Sequence, residues 1–420
     1  MKRLWMVKGV AASLAGVALL ATAGRASAAP PLCSTFTNQV VIAGSSASQK
    51  VIASLGPLAA AATPPLTILY DKPASCAGLE DVTGTADMSS SFAIYGAGAT
   101  ATGDNSTCTN SGPVAVDIGV SDVYPSTCAN AGLFTLPASG FADFPGPIQA
   151  MTFVVPQGSS EHSISAEAAF AILGYAGTGM YDVGPWTASP NASAAEIFIR
   201  GTTSGTLQMI ATEIGLPGSD WKGTVPSGDS SGAVISAVNG GTPIDNVLGI
   251  VAAEYAQNVA NTTPAPTLPT ILAFQAKGQE CGYLPDSSST SLDKLNVREG
   301  RYDIWGPIHF YTAVDSTGVP TNANAKTIVD LLALSAVNAS SQAVIAGEAA
   351  AGVVPQCAMK VSRMTEVGPE MSFQPTGDCS CFFEKSVAGG STTCQSCTTN
   401  ADCADAGTAT HCNYGYCEVQ

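Results

Sequence analysis

The sequence is poor in charged residues, and most of all in basic ones. Only 11% of its 420 residues are charged, and 16 basic residues stand against 32 acidic ones, which gives a formal net charge of −16. Proteins that bind nucleic acid or anionic membrane surfaces carry clustered positive charge. The composition therefore argues against both partners. It does not exclude a small anion, because a local cluster of N–H dipoles outweighs distant, screened surface charge.

Histidine is almost missing. The three histidines, His162, His309 and His411, have no carboxylate or cysteine at catalytic or metal-ligating spacing. We interpret them as surface or packing residues and expect neither a metal nor a cofactor. Ser204 lies in T-S-G-T rather than in a G-x-S-x-G turn, so a serine nucleophile is poorly supported. We expect a protein that is not an enzyme.

Long apolar runs are missing after the first 28 residues. Residues 1–28 contain early basic residues, then an apolar stretch, then Ala26-Ser27-Ala28. This is the pattern of a cleaved secretory signal, and it is too short for a membrane anchor. We predict an exported protein, periplasmic or extracellular, that does not span the membrane after the signal is removed.

Cysteine, in contrast, is plentiful. All 13 cysteines follow the predicted signal, six of them before residue 374 and seven after it. Export to an oxidising compartment favours disulfides. The number of cysteines is even in the body and odd in the tail, which predicts that body and tail are cross-linked separately. Zinc at Cys394-x-x-Cys397 is the less favoured alternative, because His411 is the only histidine of the tail.

Apolar strand patterns alternate with helical ones in the body of the chain. Strands are predicted at 39–43, 66–70, 114–118, 148–155, 196–199, 247–252 and 302–311, and helices at 165–173, 207–214, 232–238, 325–336 and 341–350. This alternation predicts an α/β fold with mostly parallel sheets, and the length predicts two lobes. After about residue 374, small residues and cysteine replace the pattern, which marks residues 374–420 as a separate tail.

Three local expectations follow from breakers and composition. Pro57 should close the helical pattern that begins near residue 50, and Phe144-Pro145 should interrupt the chain before the strand at 148–155. Residues 96–113 are mostly small and polar, so we expect a surface excursion held by Cys108 and Cys128.

One stretch has the chemistry of an anion site. Residues 200–206 read R-G-T-T-S-G-T between a β-branched run and a helical pattern. Such a strand-to-helix turn points free N–H groups outward, and Arg200 adds paired donors. The alternative is an ordinary helix start capped by Thr203 or Ser204.

Three further small-residue turns follow predicted strands. They are Gly44-Ser-Ser-Ala, Ala74-Ser75 and Val120-Ser121-Asp122. In open α/β sheets, ligands bind at the carboxyl ends of the strands. The four turns together therefore predict one site built from hydroxyls, N–H groups, an arginine and an aspartate.

These motifs resemble the phosphate-binding component of bacterial phosphate ABC importers, a class of periplasmic binding protein. The resemblance rests on R-x-x-x-S-G-T at 200–206 and on the D-x-G-x-S-D pattern at 117–122, and it covers roughly residues 38–350. It implies a two-lobed, type II periplasmic-binding-protein-like fold that closes on its ligand like a hinged clamp. It also implies inorganic phosphate as the ligand and an ABC permease as a partner. Lobe 1 would comprise residues 29–147 and 301–373, and lobe 2 residues 148–300.

The resemblance also assigns the phosphate site residue by residue. The candidates are Ser46, the backbone of Ala47, Ser75, Asp122, Arg200, Ser204, Gly205 and Thr206. Asp122 would accept the proton that HPO₄²⁻ retains. Sulfate has no such proton and would face an unpaired buried charge.

Two other functions stay open. One is an exported module that binds a different oxyanion and serves adhesion or signalling through its tail. The other is a secreted phosphoester hydrolase, since an arginine and hydroxyls also suit phosphoesters, although no clustered carboxylates or histidines for metals are apparent. The tail resembles small cysteine-rich modules of exported bacterial proteins and is interpreted either as a contact module for a surface partner or as a protease-resistant cap.

Overall fold

The computed structural model describes residues 29–85, 89–97, 106–176, 196–259, 267–334, 336–390 and 393–419. The predicted signal peptide at 1–28 lies outside the described residues, and so does part of the predicted excursion at 96–113. Within the ranges just given, no helix is both long enough and apolar enough to cross a membrane.

The secondary structure alternates as the sequence predicts. The strands are β1 (Gln39–Gly44), β2 (Thr67–Asp71), β3 (Ser91–Gly96), β4 (Thr107–Thr109), β5 (Ile118–Ser121), β6 (Phe141–Val155), β7 (Ser163–Ser165), β8 (Ile197–Phe198), β9 (Leu248–Ala252), β10 (Thr270–Ile271), β11 (Ala273–Gln275), β12 (Trp305–Ala313), β13 (Val361–Ser362), β14 (Met371–Ser372), β15 (His411–Asn413) and β16 (Tyr416–Glu418). The helices are α1 (Gln49–Ala61), α2 (Ser75–Glu80), α3 (Pro125–Asn130), α4 (Ala166–Tyr175), α5 (Gly205–Ile214), α6 (Ser231–Gly240), α7 (Leu295–Arg298), α8 (Ala323–Leu332), α9 (Ala339–Ala351) and α10 (Ser380–Ser386).

The main sheet has the order β4-β3-β2-β1-β5-β12-β6-β9-β8, with β10 also beside β6. Only the pairs β1–β2, β1–β5 and β8–β9 are parallel, and the other pairs of this sheet are antiparallel. The α/β class is confirmed, but the expectation of a mostly parallel sheet was wrong. The reason is that β3 and β4 pair antiparallel at one edge of the sheet, and that β12 and β6 pair antiparallel with each other and with their neighbours at its centre.

The two central strands join two lobes. The first lobe contains β1 to β5, and the second contains β8 to β10. Strand β6 pairs with β12 along Phe141 to Ala150 and then with β9 from Met151 onward, so a single strand serves both lobes. The main sheet therefore continues through both lobes, with β12 and β6 between the strands of the first lobe and those of the second.

Pro145 does not end the strand, contrary to the expectation from the sequence. It lies inside β6 opposite His309, at a shift of register between Pro307 and His309. Proline cannot donate to the ladder, and a bulge is where a strand tolerates it. The strand therefore begins at Phe141 instead of near residue 148.

Pro57 does not close the first helix either. Helix α1 continues to Ala61 and buries Val51, Leu55 and Ala59 along one face. Burial on both sides of Pro57 offsets the hydrogen bond that the proline cannot make.

The strand predicted at 114–118 lies later, at β5. The Asp117 N–H donates to the Val41 carbonyl at 2.9 Å, but the Val41 N–H donates to an Asp117 carboxylate oxygen at 2.8 Å instead of to a backbone carbonyl, so regular strand pairing starts at Ile118. The core of the first lobe packs α1 and α8 on β1, β2 and β5. It includes Ile42, Ile52, Ile68, Val120 and Ile328.

The disulfides contradict the expectation that body and tail are cross-linked separately, and they also bear on the interpretations of Cys108, Cys128 and the Cys394-x-x-Cys397 motif. The pairs are Cys33–Cys108, Cys76–Cys128, Cys357–Cys379, Cys381–Cys394, Cys397–Cys412 and Cys403–Cys417, and Cys281 is free and exposed. Cys108 and Cys128 bind different partners, and the bond from Cys357 to Cys379 joins the body to the tail. The zinc alternative at Cys394 and Cys397 is wrong, because both cysteines are in disulfides.

The start of the tail also packs into the body. Phe383 of α10 is 1% exposed, and the guanidinium of the fully buried Arg298 lies 5.3 Å from its ring. The same guanidinium donates to Glu384 Oε1 at 2.7 Å. Helix α10 is therefore part of the folded body and not a trailing segment.

Candidate functional site

Three turns of the first lobe bring hydroxyls and a carboxylate together. Strands β1, β2 and β5 are parallel neighbours, so the turns after them meet at one edge of the sheet. The side chains gathered there are buried, with at most 7% exposure, and they are Ser45, Ser46, Ser48, Ser75 and Asp122.

Asp122 is the centre of this group. Its Oδ2 accepts from Ser45 Oγ at 2.5 Å and from Ser75 Oγ at 3.3 Å, and its Oδ1 accepts from Ser48 Oγ at 2.9 Å. Burial raises the pKa of the Asp122 carboxyl, while the serine hydroxyls and Arg200 oppose that rise. Three hydroxyls thus hold the carboxylate in one orientation within a desolvated environment.

The second lobe contributes the turn that leads into α5. Ser204 is the N-cap residue of this helix, yet its side chain makes no capping hydrogen bond. The alternative interpretation, in which the Ser204 hydroxyl serves only to cap the helix, is therefore not supported. Thr206, in the first turn, is fully buried, and its Oγ1 has no hydrogen-bond partner among the described residues.

Arg200 is buried and held from two directions. Its Nε donates to Asp229 Oδ1 at 2.7 Å, and its Nη2 donates to the Asp229 carbonyl oxygen at 2.8 Å. The same Nη2 donates to Ser46 Oγ of the first lobe at 3.2 Å. Asp229 also accepts the backbone N–H of Gly201, so one carboxylate fixes both the arginine and the start of its turn.

The two lobes touch directly at these turns. The Gly205 N–H donates to Ser75 Oγ at 3.1 Å, and the Cys76 N–H donates to the Thr203 carbonyl at 3.0 Å. The approach depends on glycine, because a Cβ on Gly205 would lie 2.4 Å from Ser75 Oγ and 2.8 Å from Asp122 Cβ. The N-terminus of α5 therefore points at the serine and aspartate group of the first lobe.

The structure brings together the eight residues that the sequence singled out. Ser46, Ser75, Asp122, Arg200 and Gly205 are linked by the hydrogen bonds or contacts above, and Ser204 and Thr206 flank Gly205 on the same turn. Ala47 lies in the first turn, where its backbone N–H donates to Ser45 Oγ at 3.0 Å. The amide expected to face a ligand thus has a partner within its own turn.

Sequence reasoning missed several residues of this region. Ser45 and Ser48 lie in a turn that the sequence marked, but composition does not show which hydroxyls point inward. Asp229 lies far along the chain from Arg200 without any motif. Its backbone φ of 29° places it in the left-handed region, a conformation that becomes visible only in the fold.

Tyr255 is a further missed contact between the lobes. It follows β9 of the second lobe, and its hydroxyl donates to the Ser46 carbonyl at 2.9 Å. Lys50 of α1 lies over its ring, with Nζ 4.5 Å from the centroid, and donates to the Glu254 carbonyl at 2.8 Å. Glu254 is buried, which raises its pKa to about 7. This contact holds the Ser46 turn from its backbone side.

The assembled groups suit the binding of a small tetrahedral anion. Hydroxyls, helix N-terminal N–H groups and one guanidinium surround the meeting point, and the single carboxylate can accept a proton from a ligand. Within the described ranges, the only three His, Cys, Asp or Glu ligand atoms found close enough for a metal are those of Cys397, Cys403 and Cys417. All three of these cysteines are in disulfides.

Several similar solved structures are described as phosphate-binding or phosphate-transport proteins. An ABC-type phosphate transport receptor from Vibrio cholerae is 12% identical with a TM-score of 0.45, over 75% of this chain and 99% of that one. A periplasmic phosphate-binding protein, PfluDING, bound with phosphate is 13% identical with a TM-score of 0.41, over 76% and 90% of the two chains.

Other similar structures have a different role. The regulatory domain of OxyR from Pseudomonas aeruginosa is 9% identical with a TM-score of 0.38, over 70% of this chain and 95% of that one. No protein-family model matches the chain, and no curated protein matches it in sequence.

Proposed function

We propose that this protein is an exported solute-binding protein that captures inorganic phosphate between its two lobes. One observation supports the proposal above the others. Buried Ser46, Ser75 and Asp122 of the first lobe meet Arg200 and Gly205 of the second, through hydrogen bonds of 3.1 and 3.2 Å between the lobes.

The proposed ligand-binding residues are those that the motifs assign. They are Ser46, Ala47, Ser75, Asp122, Arg200, Ser204, Gly205 and Thr206. A phosphate at this meeting point would replace the direct contacts between the lobes with its own oxygens. The unpartnered Thr206 hydroxyl would then gain an acceptor, which removes the cost of a buried unmatched donor.

Asp122 gives the proposed site its selectivity. A hydrogen phosphate can donate its proton to the carboxylate, whereas sulfate would oppose it with a lone pair and leave a buried charge unmatched. Such a mismatch costs about 3 to 5 kcal/mol. The site should therefore prefer phosphate over sulfate by a factor of several hundred or more.

Delivery to an ABC permease and export through a cleaved signal complete the proposal. We also propose the lobe boundaries 29–147 with 301–373 and 148–300; the first division lies within β6 and the second lies shortly before β12. The tail at 374–420 is proposed to contact a surface partner.

Calorimetric titration of the mature protein tests the proposal. Endogenous ligand is first removed by partial unfolding and dialysis, and the protein is then titrated with phosphate, sulfate, arsenate and molybdate. We expect saturable heat with phosphate and little with sulfate. Refolded protein that gives no heat with phosphate would disprove the proposal, and tighter binding of another oxyanion would reassign the ligand.

A further inference from the structure

A cavity lies beside the crossing strands, away from the proposed phosphate residues. Its volume is about 320 Å³, and none of the eight proposed phosphate ligands lines it. Apolar side chains form much of its wall, among them Ile148, Trp305, Met359 and Phe373. The cavity is therefore a separate, largely apolar space with a small number of polar groups.

Arg363 is the first of these polar groups. It is 6% exposed, its guanidinium lies 4.2 Å from the Trp305 ring, and its Nη1 donates to the Asp303 carbonyl at 3.0 Å. Its Nε and Nη2 have no hydrogen-bond partner among the described residues. A buried donor left without an acceptor costs about 1 to 3 kcal/mol, so this wall favours a group that supplies an oxygen.

His309 is the second polar group. It is 1% exposed, and its Nδ1 lies 2.7 Å from Asp143 Oδ2. In a neutral ring whose Nδ1–H donates to that carboxylate, Nε2 is an acceptor. No partner for Nε2 lies within the described chain. The histidine thus favours a group that supplies an N–H or O–H.

The surrounding charges disfavour an ionic ligand. Burial lowers the pKa of Arg363, and nearby Glu213, Glu366, Glu370 and Asp303 oppose that shift by stabilising its charged form. The cavity itself is lined by the carboxylate of Asp143, so a carboxylate ligand would meet a like charge there. An ammonium would bring donors to a guanidinium that already lacks acceptors. An uncharged ligand avoids both costs.

We propose that this cavity binds a small uncharged molecule with an apolar body and an amide group. The amide oxygen accepts from Arg363, the amide N–H donates to His309 Nε2, and the apolar body packs on Trp305 and Phe373. One amide supplies the acceptor and the donor that the two buried side chains lack. This inference does not depend on the proposed phosphate function.

A matched series of three probes tests the assigned chemistry. Hexanamide, hexanoate and hexylamine share a six-carbon chain and differ in charge. Titration of the full mature chain, followed by calorimetry, should show saturable binding of hexanamide and at least tenfold weaker binding of the other two. Absence of saturable hexanamide binding, or tighter binding of either ion, would overturn the proposal.

Variants tie the binding to this cavity. Arg363→Lys keeps the positive charge among the carboxyls but loses the planar set of donors, and it should weaken hexanamide binding at least fivefold. Met364, which lines the cavity and is 74% exposed, can be changed to serine without loss of the fold, and hexanamide should then bind several-fold more weakly.

Val367→Ser is the matched control. Val367 lies on the same hairpin, is 52% exposed and does not line the cavity, so this variant should bind hexanamide as the wild type does. Equal weakening by Met364→Ser and Val367→Ser would refute the location. Hexanamide affinity unchanged in Arg363→Lys would refute the role of the arginine.

Discussion

Arg200 Nη2 lies 3.2 Å from Ser46 Oγ, so the arginine of one lobe reaches the first turn of the other. Asp229 holds the opposite side of the guanidinium through Nε. Lysine has one nitrogen and cannot serve both partners. We expect Arg200→Lys to weaken phosphate binding by about tenfold to a hundredfold. Calorimetry measures the change.

The control for this variant is Arg301→Lys. Arg301 is 54% exposed and pairs with Glu299 at the surface, so the same substitution there should leave phosphate binding unchanged. If Arg200→Lys binds phosphate as tightly as Arg301→Lys does, Arg200 does not contact the anion.

Asp122→Asn should reduce the preference for phosphate over sulfate. The amide no longer presents a charge that repels the lone pairs of sulfate, and it cannot accept the phosphate proton as strongly. The dissociation constant of sulfate divided by that of phosphate, both measured by calorimetry, should fall at least tenfold. An unchanged ratio would refute the selectivity role of Asp122.

Gly205→Ala should prevent the two lobes from meeting. The added Cβ would lie 2.4 Å from Ser75 Oγ, and we expect at least tenfold weaker phosphate binding. Gly232→Ala is the matched control, because Gly232 begins a helical turn in α6 where the nearest atom to a Cβ is 4.0 Å away. Similar phosphate affinities of the two variants would show that close approach at Gly205 is not required.

The Cys76–Cys128 disulfide should matter for both stability and binding. It joins α2 to α3 directly beside Ser75 and spans a sequence separation of 52 residues. The double alanine variant should lose about 2 to 4 kcal/mol of unfolding free energy. Phosphate affinity should fall as well, because the Ser75 turn loses its anchor.

A tail disulfide provides the comparison. Cys403→Ala with Cys417→Ala removes a bond of the tail and should leave phosphate affinity unchanged. Denaturant unfolding and calorimetry on both double variants separate the two effects. Equal affinities of the two double variants would show that the Cys76 bond does not position Ser75.

Glu348 should make the protein less stable as the pH rises. It is buried, its Oε2 has no partner among the described residues, and burial raises its pKa to about 8. The unfolded carboxyl ionises near its usual pKa of about 4.3. The contribution to stability is therefore complete below that value and is lost as the pH rises towards 8.

Glu348→Gln removes this dependence. Relative to wild type, its unfolding free energy should rise by more than about 1 kcal/mol between pH 5 and pH 8. Urea unfolding at several pH values measures the difference. The exposed Glu167→Gln should keep the wild-type dependence. A Glu348→Gln curve parallel to the wild-type curve would contradict the buried, neutral state.

The sequence predicted the local elements better than their arrangement. The strand before residue 44, the helix at 207–214 and the small-residue turns after β1, β2 and β5 could be predicted, because periodicity and small-residue turns are local signals. The antiparallel centre of the sheet could not, because pairing of β6 with β12 joins segments that are more than 150 residues apart. Pro57 and Pro145 misled for the same reason, since tertiary packing decided whether each proline was tolerated.

The candidate site shows the same limit. Ser46, Asp122 and Arg200 lie in motifs and could be named, whereas Asp229 and Tyr255 contact them from distant segments without a motif. Hydrogen-bond partners of this kind depend on backbone conformations that composition does not encode. Sequence therefore predicted which groups suit an anion but not which groups hold them in position.

The attachment of the tail constrains how the cleft works. Cys379, the residue before α10, forms a disulfide with Cys357 on one side of the proposed lobe boundary, and Glu384 of α10 forms an ion pair with Arg298 on the other. The segment from Cys379 to Glu384 thus contacts residues on both sides of the proposed boundary between the two lobes. We therefore expect a rotation that separates Arg200 and Gly205 from Ser46 and Ser75 to strain the bonds of this segment, so that the start of the tail restricts opening of the proposed site.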